Sequence, residues 1–438
     1  MSDWGGRRLH FIGIGGVGMS GLALVCAELG ATVTGSDRAD SSYMERLRAA
    51  GLEPVVGHDA ANLPDGEVEV VRSTAIAADN SEWKKAVGEG MRVLHRGELL
   101  AELCAEKRLI AVAGTHGKTT TTAMIAWALR EIGADPSFFV GGEVPGLGPD
   151  GVAANAGWGA GEWVVAEADE SDGSFLELKP EVAVVTNVEM DHHVRWGSLA
   201  ELHDAFRDFL APAAAVAVPA DGSLAELTEG KRVLGFGADR PGPAELPLAV
   251  PGGHNLLNAR AALAAIELAG LDASLAVRAL AGFPGVRHRL ELKGERGGAR
   301  VYDDYAHHPT EVRAALSALR ELEPERLIAV FQPHLYSRTK ALSEAFGAAL
   351  SLADEVAVLD VYPAREEPVG ELAGVSGLQV ARAAAERCAG RPVWWLPTAE
   401  RAYEALAPRL SAGQVLVTIG AGDAFKLAER LVEDGGEG

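Results

Sequence analysis

The chain alternates between short runs of apolar residues and longer segments in which apolar positions recur every three or four residues. The short runs are typical of buried strands and the longer segments of helices with one buried face. Clear strand-like runs occupy residues 109–113, 163–166, 182–186, 327–331 and 415–419. Strands that alternate with helices predict mostly parallel sheets covered by helices on both faces, which is an α/β fold.

This pattern restarts twice, after a predicted connecting helix at 97–107 and after a Gly- and Pro-containing break at 282–289. The length of 438 residues also suits several domains. We therefore predict three α/β domains, each with its own sheet. They are a Rossmann-like domain at 1–107, a central P-loop domain at 108–286 and a second Rossmann-like domain at 287–438.

The turn at 114–120 reads Gly-Thr-His-Gly-Lys-Thr-Thr and lies between a predicted buried strand and a helix. Backbone N–H groups and the helix dipole favour a phosphate at such a turn, Lys118 adds a positive charge, and the Thr119 hydroxyl suits Mg²⁺. Usual P-loop spacing has another glycine at the position of Val112, so this turn is a shortened variant. The residues predicted to bind ATP phosphates are Gly114, Thr115, His116, Gly117, Lys118, Thr119 and Thr120.

An earlier turn, at 13–18, has G-x-G-x-x-G spacing, and an acidic residue ends the next predicted strand. Such a turn places a diphosphate at a helix N-terminus, and the acidic residue suits a ribose hydroxyl. The motif favours a nucleotide diphosphate and leaves NAD binding open as an alternative. His58 and Ser73 follow the ends of two other predicted strands. The residues predicted to face this ligand are Gly13, Gly15, Gly16, Gly18, Asp37, His58 and Ser73.

Four carboxylates, at positions 167, 169, 170 and 172, follow the apolar run at 163–166. They would repel one another unless cations lie among them, and Mg²⁺ is the cation that carboxylates and nucleotide phosphates share. His192 follows the next strand and suits either a metal ligand or a helix cap. Asn258 lies one turn inside a predicted helix, where a cap is not required, so we predict a contact with adenine or phosphate.

Composition excludes several classes of protein. The net charge of −22, without a Lys/Arg-rich block, argues against a nucleic-acid partner. Three scattered cysteines fit a reducing compartment, and no apolar run reaches about 18 residues, so we expect no membrane insertion and a cytoplasmic location. The sequence does not determine the oligomeric state, for which we expect a monomer or a weak homodimer.

The motifs, taken together and in order, resemble those of the Mur ligases, the ATP-dependent amide-forming enzymes of peptidoglycan precursor synthesis. The resemblance covers nearly the whole chain. The segments that carry it are 13–20, 114–120, 167–172, 191–192, 252–258, 303–310 and 331–338.

The resemblance implies one domain for a UDP-linked substrate, one for ATP, and a third that carries the amino acid and closes over ATP. It implies UDP-N-acetylmuramate and L-alanine as substrates. The lactyl carboxylate would take the γ-phosphoryl group of ATP, and the amine of alanine would then displace phosphate from the acyl phosphate.

Site residues follow from the resemblance by position. Thr119 and Glu167 would hold one Mg²⁺, and His192 would help to hold a second. Asn258 and Asp304 would contact adenosine. Positive charges that would offset the repulsion between carboxylate and ATP are those of Lys118, Arg287, Arg289 and Arg338. Arg338, close to His334 and Tyr336, is the candidate clamp for a substrate carboxylate. The predicted catalytic residues are Lys118, His192 and Arg338.

Two departures from the family pattern matter. Members often carry adjacent arginines where this chain has Arg287-His288-Arg289, so the arginine that contacts phosphate stays open. Several related ligases use a carbamylated lysine soon after the Asp-His pair, and no lysine occurs here between His192 and Phe209. Three alternatives also stay open: a recycling ligase that attaches a ready-made tripeptide, an NAD-dependent oxidoreductase, and a non-catalytic nucleotide-binding module.

Overall fold

A computed structural model of the protein describes residues 4–190, 195–237, 246 and 248–435. The described residues contain three separate β-sheets with helices between their strands. The predicted α/β fold is confirmed.

The first sheet has five parallel strands in the order β3-β2-β1-β4-β5. Its strands are β1 Arg8–Ile12, β2 Thr32–Asp37, β3 Val55–Val56, β4 Glu69–Arg72 and β5 Val93–His95. The helices of this region are α1 Val17–Glu28, α2 Ser42–Ala49, α3 Ser81–Gly88 and α4 Arg96–Cys104.

The second sheet has seven strands in the order β12-β11-β10-β6-β9-β7-β8, and only β8 runs antiparallel to its neighbour. Its strands are β6 Arg108–Ala113, β7 Ser137–Val144, β8 Ala154–Gly157, β9 Trp163–Glu167, β10 Val182–Val185, β11 Ala215–Pro219 and β12 Arg232–Phe236. The helices are α5 Lys118–Glu131, α6 Leu199–Leu210, α7 Gly253–Leu268 and α8 Ala273–Leu280.

The third sheet has six strands in the order β13-β14-β18-β15-β16-β17, with β13 antiparallel to β14. Its strands are β13 Glu291–Arg296, β14 Ala299–Asp304, β15 Arg326–Phe331, β16 Glu355–Val358, β17 Val393–Trp395 and β18 Gln414–Ile419. The helices are α9 Pro309–Arg320, α10 Tyr336–Leu350, α11 Gly377–Arg387, α12 Ala399–Leu406 and α13 Phe425–Glu433.

The central strands explain the continuous apolar runs in the sequence. Ile110 in β6, Val165 in β9 and Val184 in β10 are fully buried. Because helices cover both faces of a parallel sheet, successive residues of a strand are apolar whichever face they point to. Parallel strands also place all their carboxyl ends along one edge, where the polar residues of the motifs follow.

The chain divides into two compact units. One contains residues 1–248 and 257–284, with the first and second sheets, and the other contains 249–256 and 285–438, with the third sheet. The domain boundaries expected at 107 and 286 stay predictions. None of the helices in the described ranges combines the length and apolar character that a membrane-spanning segment requires.

Candidate active site

The predicted phosphate loop connects β6 to α5, and two of its glycines are required by its shape. Gly114 has φ +130° and Gly117 has φ +81°, which side chains rarely adopt. A Cβ atom at Gly114 would lie 2.1 Å from Oγ1 of Thr186, and one at Gly117 would lie 2.5 Å from Oδ1 of Asn258. The fold therefore brings Asn258, which follows by 141 positions, directly against the loop.

The loop is fixed by Asn187, which follows β10. The N–H of His116 donates to Oδ1 of Asn187 at 2.9 Å, and Nδ2 of Asn187 donates back to the carbonyl oxygen of His116 at 3.0 Å. The first amide that bonds within α5 is that of Thr121. The N–H groups of the preceding turn of the helix therefore point out of its positive end, which is an arrangement that favours a phosphate.

Lys118 begins α5 and folds back over the loop. Its Nζ lies 2.8 Å from Oε2 of Glu170 and 2.6 Å from the carbonyl oxygen of Gly114, and its side chain is only 12% exposed. Burial alone would lower the pKa of Lys118, but the carboxylates of Glu170, Asp169 and Glu167 raise it. The ammonium group is therefore kept charged next to the loop.

The four carboxylates after β9 are neutralised mainly by the protein itself. One nitrogen of Arg96, Nη2, lies 2.7 Å from carboxylate oxygens of both Asp169 and Asp172, and Lys118 pairs with Glu170. Burial opposes ionisation of Asp169, yet Arg96 and Lys118 lower its pKa to about 2. The expectation that these acids need metal cations is corrected for three of the four. Arg96, which the sequence analysis did not single out, neutralises Asp169 and Asp172, and Lys118 neutralises Glu170.

Glu167 is the exception. Its Oε1 accepts a hydrogen bond from Oγ1 of Thr119 at 3.0 Å, and its Oε2 accepts one from the N–H of Gly141 at 2.7 Å. A carboxylate and a hydroxyl side by side are hard oxygen donors, so the pair fits Mg²⁺. The third predicted ligand, His192, lies outside the described residues.

The glycine turn of the first sheet is tied to the end of β2. The N–H of Gly15 donates to Oδ2 of Asp37 at 2.9 Å, and the N–H of Gly13 donates to the carbonyl oxygen of Ser36 at 2.8 Å. Gly16 directly precedes α1, and no side-chain hydrogen bond caps this helix. The turn thus presents the N-terminus of α1 at the carboxyl edge of the sheet.

Three other residues predicted for this ligand lie along the same region. Nδ1 of His58 is 2.9 Å from Oγ of Ser36, and Oγ of Ser73, after β4, accepts from the N–H of Ala75 at 3.3 Å. A Cβ atom at Gly18 would lie 3.9 Å from Nη1 of Arg96. The structure therefore places His58 and Ser73 after the strand ends expected from the sequence, and Gly18 in the first turn of α1.

Glu82, in the first turn of α3, organises this region and was missed by the sequence analysis. It is fully buried, and it accepts hydrogen bonds from Oγ of Ser36 at 2.7 Å and from Nδ2 of Asn62 at 2.9 Å. Nε2 of His10 is 3.1 Å away. Burial would raise the pKa of Glu82, but His10, Ser36 and Asn62 lower it to about 2. The ionised carboxylate orients Ser36 and, through it, His58.

In the second unit, Asp304 ends β14, and its carboxylate interacts electrostatically with Arg289. Its carboxylate is 7% exposed and accepts from the N–H groups of Leu290 and Ala306, both at 2.8 Å. Burial raises the pKa of Asp304 to about 7, against the charge of Arg289. The guanidinium of Arg289 lies 5.2 Å from the ring centre of Tyr305.

The predicted carboxylate clamp begins α10. The helix starts at Tyr336, so Tyr336 and Arg338 belong to its first turn. Nη1 of Arg338 lies 3.5 Å from Nδ1 of His334, whose ring stacks on Tyr362. Burial first, then His307 and Arg338, lower the pKa of His334 to about 4. The neutral imidazole therefore accepts from the arginine.

Glu366 is a further residue that sequence patterns did not reveal. Its Oε2 accepts from the N–H of Ser337 at 2.9 Å, at the N-terminus of α10. A carboxylate here stabilises the positive end of the helix. The N-terminus of α10 is thus already paired with a carboxylate of the protein itself.

Three family profiles match the chain. They are described as Mur ligase family, catalytic domain (residues 8–108), Mur ligase middle domain (112–241) and Mur ligase, glutamate ligase domain (288–422). The matched ranges follow the three sheets.

Individual relatives align over nearly the whole chain. The chain is 48% identical to the UDP-N-acetylmuramate–L-alanine ligase of Kineococcus radiotolerans, across 95% of this chain and 93% of the relative. It is 44% identical to the enzyme of that name from Renibacterium salmoninarum, across 97% and 95%. The solved UDP-N-acetylmuramate-alanine ligase of Thermotoga maritima is 30% identical, with a TM-score of 0.83 and coverage of 98% of each chain. The resemblance seen in the motifs is confirmed, and the chain belongs to the Mur ligase family.

Proposed function

We propose that the chain is an ATP-dependent ligase that joins L-alanine to the lactyl carboxylate of UDP-N-acetylmuramate. Its full-length identity of 44–48% to ligases of this name is the observation that carries the choice of substrates. The phosphate loop with Lys118, beside the Thr119–Glu167 oxygen pair, supports the use of ATP and Mg²⁺. The glycine turn at 13–18, which left NAD open, is assigned to the diphosphate of the UDP-sugar.

The first step activates a carboxylate, which is a poor electrophile because of its charge. A lactyl oxygen forms a bond to the γ-phosphorus as the bond to the β-phosphate oxygen of ATP breaks, and ADP leaves with that electron pair. Such a transfer depends on positioning and charge neutralisation. Lys118 and the amides of the loop would hold the β- and γ-phosphates. Mg²⁺, held by Thr119 and Glu167 with His192 at a second ion, would neutralise further charge.

The second step forms the amide. The alanine nitrogen attacks the acyl phosphate carbon, loses a proton, and phosphate departs with the electron pair of the broken C–O bond. Arg338 would clamp the alanine or lactyl carboxylate, since a guanidinium matches a carboxylate with paired N–H groups. His334 beside it is neutral, so the positive charge offered to the carboxylate would come from Arg338.

The remaining site residues bind the two nucleotides. Gly13, Gly15, Gly16 and Gly18 would face the UDP diphosphate, and Asp37, His58 and Ser73 line the same strand ends. Asn258 and Asp304 would contact adenosine, while Arg287 or Arg289 would contact the phosphates.

The test is phosphate release from ATP by purified protein with Mg²⁺ and UDP-N-acetylmuramate, across a panel of L-alanine, glycine, L-serine and the ready-made tripeptide. We expect release with L-alanine, and none when the nucleotide sugar is omitted. Mass spectrometry should identify the alanyl product. Release with the tripeptide alone would reject alanine as the substrate in favour of the recycling reaction.

A further inference from the structure

The loop that carries Arg289 has an unusual backbone. His288 and Leu290 have φ values of +60° and +47°, which is the left-handed region that residues other than glycine rarely adopt. Such residues persist only where surrounding contacts hold them. The segment 286–290 closes on itself through a bond from the N–H of Arg289 to the carbonyl oxygen of Val286 at 3.1 Å.

Three hydrogen bonds attach this loop to the carboxyl end of β14. The N–H of Tyr305 donates to the carbonyl oxygen of His288 at 2.7 Å, and the N–H of Leu290 donates to Oδ2 of Asp304 at 2.8 Å. The third joins the His288 ring, through Nδ1, to Oδ2 of Asp303 at 2.6 Å. Of the three, the ring contact is the one made by a side chain of the loop.

Asp303 is a fixed partner for this ring. It is 2% exposed, and its Oδ1 accepts from Oγ1 of Thr418 in the neighbouring strand β18 at 2.7 Å. The His288 ring also makes an edge-type contact with Phe425, with ring centres 5.0 Å apart. The imidazole is therefore held between β14 and α13.

The same residues have the composition of a cation site, since His288, Glu291 and Asp303 converge. The direct 2.6 Å contact between ring and carboxylate, however, is a hydrogen bond without room for an ion between its atoms. Nζ of Lys293 also lies 3.5 Å from Glu291 and already supplies positive charge there. The cluster is thus an ion-paired network of the protein's own side chains.

We propose that His288 is a positioning residue for ATP: its ion pair with Asp303 holds the 286–290 loop so that Arg289 lies over Tyr305 and faces Asp304. The inference rests on the proposed function, in which Asp304 and one of the two loop arginines, Arg287 or Arg289, contact ATP. Because the pair is strongest with an imidazolium, ATP affinity falls as pH rises and the ring loses its proton.

The charges around the ring fix the direction of this pH response. Asp303 from β14 and Glu291 from β13 face it, Lys293 from β13 opposes them, and Glu429 from α13 pairs with Lys293. The hydrogen bond with Asp303 is the largest cause that raises the pKa of His288 above its ordinary value, against burial and Lys293. The pair is therefore fully formed below pH 6.5 and is lost as pH rises through the raised pKa.

The matched variants are His288→Arg, which keeps a permanent charge at this position, and His288→Gln, which has none. Calorimetric titration of each protein with Mg-ATP at pH values from 6 to 9 reports affinity without the ligase reaction. We expect the ratio of the wild-type Kd to the His288→Arg Kd to rise about fivefold or more from pH 6 to pH 9. We expect His288→Gln to bind Mg-ATP weakly at every pH. The ionisation of ATP itself affects the Kd of every protein equally, so it cancels in the ratio of the wild-type Kd to the variant Kd.

Two results would overturn the inference: parallel pH profiles for wild type and His288→Arg, or an unchanged Kd in His288→Gln at pH 6. The unfolding midpoints of the variants show whether weak ATP binding results from a loss of folded structure. For His288→Gln, weak binding by a protein that is still folded supports the positioning role. Absence of ATP binding by the wild type at all pH values would instead reject the proposed function.

Discussion

Lys118 and Glu170 form a buried ion pair, with 2.8 Å between Nζ and Oε2 and with side chains only 12% and 2% exposed. The carboxylate holds the lysine beside the carbonyl oxygen of Gly114, within the phosphate loop. A buried partner of this kind keeps the lysine oriented, so a phosphate meets a preorganised charge.

Lys118→Ala should reduce ATP-dependent product formation by about a hundredfold or more, as expected when a preorganised charge at the transferring group is removed. The same change leaves Glu170 buried without its counter-charge, which costs stability, although the carboxyl can take up a proton because burial raises its pKa to about 7 even beside Lys118. The double variant Lys118→Ala, Glu170→Gln removes both charges and should recover most of that stability. Phosphate release by a folded double variant at the wild-type rate would show that Lys118 has no role in catalysis.

Glu167→Gln should weaken Mg²⁺ binding at the proposed site, since an amide is a poorer ligand for Mg²⁺ than a carboxylate. We expect the Mg²⁺ concentration for half-maximal phosphate release to rise about tenfold or more. Glu181→Gln is a matched control, because Glu181 precedes β10 and pairs with Arg108 at the opposite edge of the sheet. If both variants need the same Mg²⁺ concentration as the wild type, Glu167 is not a ligand.

Arg96→Ala should destabilise the first compact unit strongly. The guanidinium contacts both Asp169 and Asp172 at 2.7 Å, so its removal leaves two carboxylates without their main counter-charge. We expect a loss of about 3 kcal/mol in unfolding free energy, measured by urea denaturation. Arg108→Ala, at a 41% exposed pair with Glu181, should cost less than about 1 kcal/mol. Equal losses in the two variants would contradict this role of Arg96.

Local patterns were sufficient for much of the fold. Strands β6, β9 and β10 were visible because burial on both faces makes them continuously apolar, and the phosphate loop was visible because its glycines adopt positive φ. Strand β13 was missed because it is an edge strand with polar residues, where even Leu292 is 52% exposed. Strand β5 was also missed, because its three residues are too few to form a recognisable apolar run.

The errors at the candidate site come from partners distant in sequence. Glu82 resembles any acidic residue in a first helical turn, and only the fold shows that Ser36, 46 residues earlier, donates to it. The N-terminus of α10 is likewise held by Glu366, which bonds Ser337 although it follows that residue by 29 positions. Arg96 likewise meets Asp169 across 73 residues. Such pairs leave no periodic signal.

The buried Glu82 predicts how stability depends on acid. Its folded pKa of about 2 lies below the ordinary value of 4.5, so the ionised carboxylate binds its partners more tightly in the folded state. A depressed carboxyl pKa contributes stability that is fully present above pH 4.5 and is lost as pH falls towards 2. The difference corresponds to about 3 kcal/mol at neutral pH.

Glu82→Gln should therefore lower the unfolding free energy at pH 7 by about 3 kcal/mol, and its deficit relative to the wild type should shrink as pH falls below 4.5. Urea denaturation at a series of pH values measures both quantities. Glu89→Gln, at the exposed end of the same helix, is the control and should follow the wild type at every pH. A deficit of constant size across the acid range would mean that Glu82 acts through packing alone. A deficit that closes towards pH 2 would show that the ionised carboxylate, which accepts a hydrogen bond from Ser36, supplies this stability.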